Sequence, residues 1–513
     1  MVLIGALFAC MLASAESMRS AWAPNASAVA DAFIARVAAE SDIPGIAVGV
    51  VAGGKVQYAR GFGVQKSGDP NAAVTTNTLF QIGSCSKTFI AMGLAKYFDL
   101  DPSIGWNTRI KQIIPEFQMN NSYITETMVI GDLLAHRTGL GSHDGDLLWL
   151  AGDVTTEERL VLQRLRYLVP KERIGLKFQY SNIGYEVATV VLNRLAKEPW
   201  YEFIRKHLLL PLGMNDTLPG VPAIHSVSQK ERLAFAHSYH VDPDPLLDEI
   251  YAMDLLKPRT PNLVGGISNG FLGAGSVISS TNDFCKWMEF LLNPGRSGIF
   301  KSQEGLIGVS VAEEAHVVVN HTLISAMLPE ETVKSVGNAY GAGFGFDLVG
   351  ALFGEPKKHF FSKGGDTLFH TTRTGFLPDE ELAVVIFGNM EYGLKDQYLN
   401  ALVSSVLEIF TGSNISKVEA KYAPVATKLA KIQSLIRSSP VVTYHLPLNE
   451  SISNQSSATL SFPCGDFDCS AKLRDIDTLL PMLEVGGLGP PEVSELHTQR
   501  IANEFACGCP IQY

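Results

Sequence analysis

Apolar residues crowd Ile46–Ala52, the dipeptide Gly53-Gly54 follows, and polar and apolar positions then alternate through Lys55–Arg60. Two strand-like runs joined by a two-glycine turn predict a β-hairpin. The pattern then changes. From Leu79 to Phe98 polar positions become sparse, which predicts a long helix buried on several sides. Between Asp99 and about Asn293 helical periodicity dominates, as in Glu157–Leu168 and Gly184–Leu195, with loops rich in Gly and Pro between the helices. Strand patterns return at Phe344–Val349, His359–Ser362 and Leu382–Phe387, and Asp396–Phe410 reads as a helix. Strands at both ends with helices between them predict an α/β (α+β) layered fold. Its sheet would come from about residues 30–65 and 340–410, split by a helical insertion over about 99–293. From about Thr411 Ser, Pro and Asn become frequent and long patterns fail, so a boundary is expected there. It leaves 411–513 as a C-terminal extension without an assigned fold, and 294–339 reads as a further insertion.

The first fifteen residues, MVLIGALFACMLASA, are almost wholly apolar and end in Ala13-Ser14-Ala15. That small-x-small ending marks a cleavable secretory leader, cut after Ala15. The run is shorter than the about 20 apolar residues a bilayer span needs. No Lys or Arg precedes it, and an uncleaved anchor is the alternative reading. No later stretch is long and apolar enough to span a membrane. Asn-x-Ser/Thr acceptors at Asn25, Asn120, Asn215, Asn320, Asn414, Asn449 and Asn454 suit a secreted glycoprotein. Cys85 and Cys285 sit in apolar patterns and read as buried small residues, whereas Cys464, Cys469, Cys507 and Cys509 crowd the tail. Two disulfides are expected there, with a zinc site as the rival that lacks a histidine pair or C-x-x-C spacing. Net charge is −11 and no basic run is present, which argues against nucleic acid or an anionic membrane surface as partner. Nothing in the pattern sets an oligomeric state.

The candidate chemistry begins at Ser84-Cys85-Ser86-Lys87, where a loop enters the first buried helix. A serine three residues before a lysine on a helix puts both side chains on one face. Serine needs a base within hydrogen-bond reach, and a lysine can serve when burial and a helix N-terminus keep it neutral. Tyr180-Ser181-Asn182 opens a helix near Ile183, and Lys363-Gly364-Gly365 follows the strand His359–Ser362. A phenol can relay protons beside a lysine, and an asparagine amide can orient both a carbonyl and the lysine. Two glycines let a substrate backbone lie against a strand edge.

The ordered triple S-x-x-K, Y-x-N, K-x-G is that of serine β-lactamases and penicillin-binding proteins. The resemblance extends through IPGIAVGVV (43–51), NTLFQIGSCSKTF (77–89), IGDLLAHRTGL (130–140), FQYSNIGYEVA (178–188), LLPLGMNDT (209–217), GAGSVISSTNDF (273–284), YGAGFGF (340–346), SKGGDT (362–367) and GFLP (375–378). The chain resembles the β-lactamase-related family over roughly residues 30–410, nearest class C enzymes, D,D-carboxypeptidases and their esterase relatives. That resemblance implies a β-lactamase/transpeptidase-like fold, an antiparallel sheet flanked by helices, in a catalytic domain spanning 16–410. It implies Ser84 as the acyl-accepting nucleophile and Lys87 as general base. Tyr180 would share the proton transfers and Asn182 would hold the substrate amide and Lys87. Lys363 would place positive charge near the leaving group or a substrate carboxylate, and the N–H groups of Ser84 and Asp366 would form the oxyanion hole. No metal or organic cofactor is implied. Many relatives read Pro-Gly-Phe where this chain has Leu368-Phe369-His370, so Phe369 is expected to narrow the pocket beside that strand.

His136-Arg137-Thr138-Gly139 reads as a structural segment, and His237, His240, Asp242 and Asp244 lack the frame of a metal site. Three functions share the motifs. The favoured one is a serine hydrolase that cleaves an ester or amide on a small-molecule or peptide substrate, β-lactams included among the candidates. Acyl transfer to an alcohol or amine uses the same first step. A catalytically inactive scaffold is the third, against which the intact Ser84, Lys87, Tyr180, Asn182 and Lys363 argue.

Overall fold

The computed structural model describes residues 25–41, 43–141, 144–145, 158–175, 179–220, 223, 226–237, 258–259, 272–292, 298–300, 338–339, 347–351, 359–367, 370–377, 380–390, 394–438, 441–447 and 457–463. The leader, the tail cysteines, Phe369, His240, Asp242 and Asp244 lie outside them, as does most of 294–339.

Helix α1 (Ala26–Ser41) leads into β1 (Gly45–Ala52), which turns at Gly53-Gly54 into β2 (Lys55–Gly63). Both turn glycines have positive φ, 58° and 70°, the geometry a two-residue hairpin turn requires. The partner on the other side of β1 comes from the far end of the catalytic region: β9 (Leu382–Gly388) pairs Ile46 with Gly388 through to Ala52 with Leu382. Outward from β9 lie β8 (Thr371–Leu377), β7 (His359–Asp366), β6 (Asp347–Ala351) and β5 (Asn338–Ala339). The result is a seven-stranded antiparallel sheet in the order β2-β1-β9-β8-β7-β6-β5.

Both faces of the central strands are covered, which is why β1 and β9 read as continuous apolar runs. On one face Ile46, Val48, Val50, Val384 and Ile386 pack under α1 and α7 (Leu394–Phe410). On the other, Ala47, Val51, Val385 and Phe387 join the larger core of the helical region. That region is built around α2 (Lys87–Leu100) and α4 (Asn182–Ala196), with α3 (Glu158–Leu165) and α6 (Thr281–Leu292) beside them. Past residue 411 the chain continues as α8 (Ile415–Ser438), whose Val418 and Tyr422 are buried against the α1–α7 layer. A separate hairpin, Val441–Pro447 with Ser457–Pro463, follows.

Two expectations change. The helix predicted from Leu79 begins later: Leu79–Gln81 is a strand, β3, paired with β4 (Ile278–Ser280), and a 3₁₀ turn at Gly83–Ser86 precedes α2. A short buried strand and a buried helix share one apolar signature, and pairing with a strand about 200 residues away decides between them. Likewise Lys363-Gly364-Gly365 lies inside β7 rather than after it, paired to Thr374, Arg373 and Thr372.

Candidate active site

Ser84 stands in the 3₁₀ turn between β3 and α2. Gly83, at φ 52°, turns the chain there, a backbone region that favours glycine. The turn is tied to its surroundings on both sides: Ser86 Oγ donates to the Gly83 carbonyl at 2.7 Å and accepts the Val277 N–H at 3.0 Å. Strand β7 lies against it almost without clearance. A Cβ on Gly83 would be 2.5 Å from Asp366 N, and one on Gly365 would be 2.0 Å from the Ile82 carbonyl oxygen. These two glycines therefore let the turn and the strand meet, and they set the Ser84 and Asp366 backbones side by side. An oxyanion hole built from their N–H groups needs that approach.

Lys87 is completely buried, whereas Ser84, Tyr180 and Asn182 are half-buried and face the site. Lys87 Nζ lies 3.0 Å from Ser84 Oγ and donates to Asn182 Oδ1 and the Ala274 carbonyl, each at 2.7 Å. The Tyr180 hydroxyl lies 2.5 Å from Ser84 Oγ. This frame accommodates both protonation states of the amine. A neutral Nζ can give its two hydrogens to Asn182 and Ala274 and turn its lone pair to the serine hydroxyl. An ammonium can donate to all three oxygens. Lys363, 4% exposed, holds its Nζ 5.0 Å from the Tyr180 ring centre, and Lys87 Nζ is 4.9 Å from that ring. Both amines thus lie over the electron-rich face of one phenol ring.

Tyr180 reaches Ser84 and Asn182 reaches Lys87 because of how α4 begins. Ser181 is its N-cap, its Oγ accepting the Gly184 N–H at 3.1 Å, so Tyr180 precedes the helix and Asn182 opens it. His136, with φ 55°, accepts the Ser181 N–H on Nδ1 at 3.0 Å, and its ring packs 4.5 Å from that of Tyr180. The segment read as structural thus steadies the tyrosine. His237 is also structural, bridging the Ser67 N–H and the Asn389 carbonyl. Cys85 faces the Lys363 carbonyl at 3.7 Å, and burial pushes its thiol up to about 12, so it is inert beside the serine.

The motifs do not point to Arg373, which pairs with Asp366 at 2.8 Å across β8 and β7, or to the Ala274 carbonyl, a backbone atom that leaves no side-chain signal. Glu186 is a third. It lies four residues after Asn182, a spacing that puts both on one helical face. Among the described residues no group of three or more His, Cys, Asp or Glu could hold a metal ion, and no helix is long and apolar enough to cross a membrane.

A serine, a lysine and a tyrosine within hydrogen-bond reach, at a buried helix start against strand β7, are the arrangement of a serine hydrolase of the S-x-x-K type. Residues 30–408 match the Beta-lactamase family, and the chain belongs to it. Among its relatives, the unguisins hydrolase ungD' of Aspergillus campestris is 29% identical over 262 residues, 49% of this chain and 44% of that protein. The chain thus aligns with less than half of that relative. The beta-lactamase of Providencia stuartii is 22% identical over 359 residues, 70% of this chain and 85% of the other. The octameric penicillin-binding protein homologue from Pyrococcus abyssi shares the fold, with a TM-score of 0.57 at 19% identity, covering 85% of this chain and 96% of that one. The chain is accordingly a member of the Beta-lactamase family with the β-lactamase/transpeptidase-like fold.

Proposed function

We propose that the protein is a secreted hydrolase that takes an acyl group from an ester or amide onto Ser84 and releases it to water. The observation that carries this reading is Ser84 Oγ held between Lys87 Nζ at 3.0 Å and Tyr180 OH at 2.5 Å. In acylation Lys87 takes the serine proton while Oγ attacks the carbonyl carbon. The N–H groups of Ser84 and Asp366 receive the oxyanion, and Tyr180 passes a proton to the leaving group. Asn182 holds the lysine and the substrate amide. In the second half Tyr180 takes a proton from the water that attacks the acyl carbon, and Lys87 returns one to Ser84 Oγ as its bond to the acyl carbon breaks. Lys363 favours substrates with an anion near the scissile bond. Relatives named for hydrolysing unguisins and β-lactams favour water over another acceptor. Secretion is supported by the apolar leader and by four acceptor asparagines, Asn25, Asn120, Asn215 and Asn414, all exposed.

The test is intact mass after reaction with a fluorophosphonate, then turnover of a panel of esters and peptides. Ser84→Ala should lose the adduct and the turnover with its melting temperature unchanged. Turnover above about one per cent of the parent would remove Ser84 from the nucleophile role.

A further inference from the structure

A buried carboxylate stands near Lys87 without a part in the steps above. Glu186, in the second turn of α4, is 2% exposed, and carboxylates are seldom buried so deeply unless partnered. Its Oε1 accepts the Ala274 N–H at 3.1 Å, and the Gly273 N–H also bonds to the carboxylate. The turn carrying these residues, α5 (Leu272–Gly275), presses on α4 so closely that a Cβ on Gly273 would lie 1.8 Å from Thr189 Oγ1. The carbonyl of that same Ala274 receives Lys87 Nζ at 2.7 Å. Lys87 is therefore held from the helix by Asn182 and from the turn by Ala274, and Glu186 fastens turn to helix.

We propose that Glu186 is a positioning residue for the proton transfer from Ser84 to Lys87: it fixes the Ala274 carbonyl on the amine and supplies counter-charge to the ammonium that forms. This rests on Ser84 as nucleophile. In that step the serine O–H bond breaks, an Nζ–H bond forms, and the oxygen's electron pair goes to the acyl carbon. Positive charge then appears inside the protein, where water screens a nearby carboxylate poorly. Burial raises the Glu186 carboxyl to about 7, against the lowering effect of the two N–H bonds and of Lys87, so the two groups exchange influence near neutral pH. Among the described residues, the other charged or titratable groups around them include Tyr180 and Tyr185, Cys85 in the 3₁₀ turn, Lys363 on β7, and His136 with the ion pair Asp132–Arg137 on the segment packed against α4.

The test is the second-order rate at which a fluorophosphonate labels the full chain between pH 5 and 9, with the labelled residue identified by peptide mass. Glu186→Gln keeps an acceptor for the Ala274 N–H and removes the charge. Its acid limb should move down by about one pH unit and its plateau fall about tenfold. Glu186→Ala, which loses the acceptor as well, should fall about a hundredfold. A merely structural role would lower melting temperature and leave the limb in place. A folded Glu186→Gln with the parental limb and plateau overturns the proposal. Should that variant not fold, Glu186→Asp decides: its limb should stay while its plateau falls, and a parental plateau or a displaced limb overturns it. Label on a residue other than Ser84 refutes the nucleophile assignment instead.

Discussion

Gly365→Ala should cripple the reaction while sparing substrate binding. The added Cβ would sit 2.0 Å from the Ile82 carbonyl oxygen and 2.9 Å from Cys85 N, both backbone atoms. Ordinary contact for such a carbon begins at 3.4 Å, so β7 and the 3₁₀ turn must part by about 1.4 Å along that line. Oxyanion donors act within a window of about 2.7–3.1 Å, so a shift of that size takes the Asp366 N–H out of range of an oxygen still held by Ser84. Loss of one such donor costs about 10²–10³ in kcat. The neighbouring Gly364→Ala is the control. Its Cβ meets the end of the Arg373 side chain at 3.2 Å, which can give by a few tenths of an ångström, so activity should stay within about threefold of the parent. The assay is kcat and KM on a p-nitrophenyl ester for both variants, with melting curves to confirm folding. A Gly365→Ala enzyme within about fivefold of the parent, or equal losses at the two glycines, would refute the reasoning.

Lys87→Arg should be nearly inactive in the same assay, because a guanidinium cannot accept the serine proton near neutral pH; an active arginine variant would move the base role to Tyr180. Lys363→Ala should lose about ten- to a hundredfold more kcat/KM on free-acid substrates than on their methyl esters. Equal losses would place Lys363 in the chemistry, through the Tyr180 ring it faces. His370 is buried, accepts the Gln81 N–H on Nδ1, and is pushed down by burial to about 3. Between that value and the ordinary histidine range near 6.5 the unfolded chain binds the extra proton, so stability is full above about pH 6.5 and falls as pH drops, by about 1.4 kcal/mol per unit for this group. Urea unfolding from pH 7 to 4 should show a shallower fall for His370→Phe, and parallel slopes would refute this assignment.

Local chemistry was legible wherever one short segment supplies it. Ser84 and Lys87 share a face because they are three residues apart at a helix start, and the hairpin at Gly53-Gly54 follows from its alternation and its glycines. Strand β8 left a weaker trace: Thr371–Leu377 is threonine-rich and mixed in polarity, yet it is buried between β7 and β9. The helix expected from Leu79 failed for a related reason, since periodicity cannot see a partner strand.

The amino-acid order by itself determined the family and the sheet-and-helix class, and it singled out Ser84, Lys87, Tyr180, Asn182 and Lys363 as candidates, because residue type and spacing carry that chemistry. Only the tertiary structure decided their distances. Packing of α4 against α2 sets Asn182 on Lys87 and Tyr180 on the serine, and the glycine contacts between β7 and the 3₁₀ turn set Asp366 beside it. It also decided the roles of groups with no motif: the Ala274 carbonyl on Lys87, Glu186 behind it, and His136 beneath Tyr180. Those contacts join residues about 45 to 190 positions apart. A local pattern holds no record of which distant backbone will press against it, because burial and close packing are properties of the assembled core.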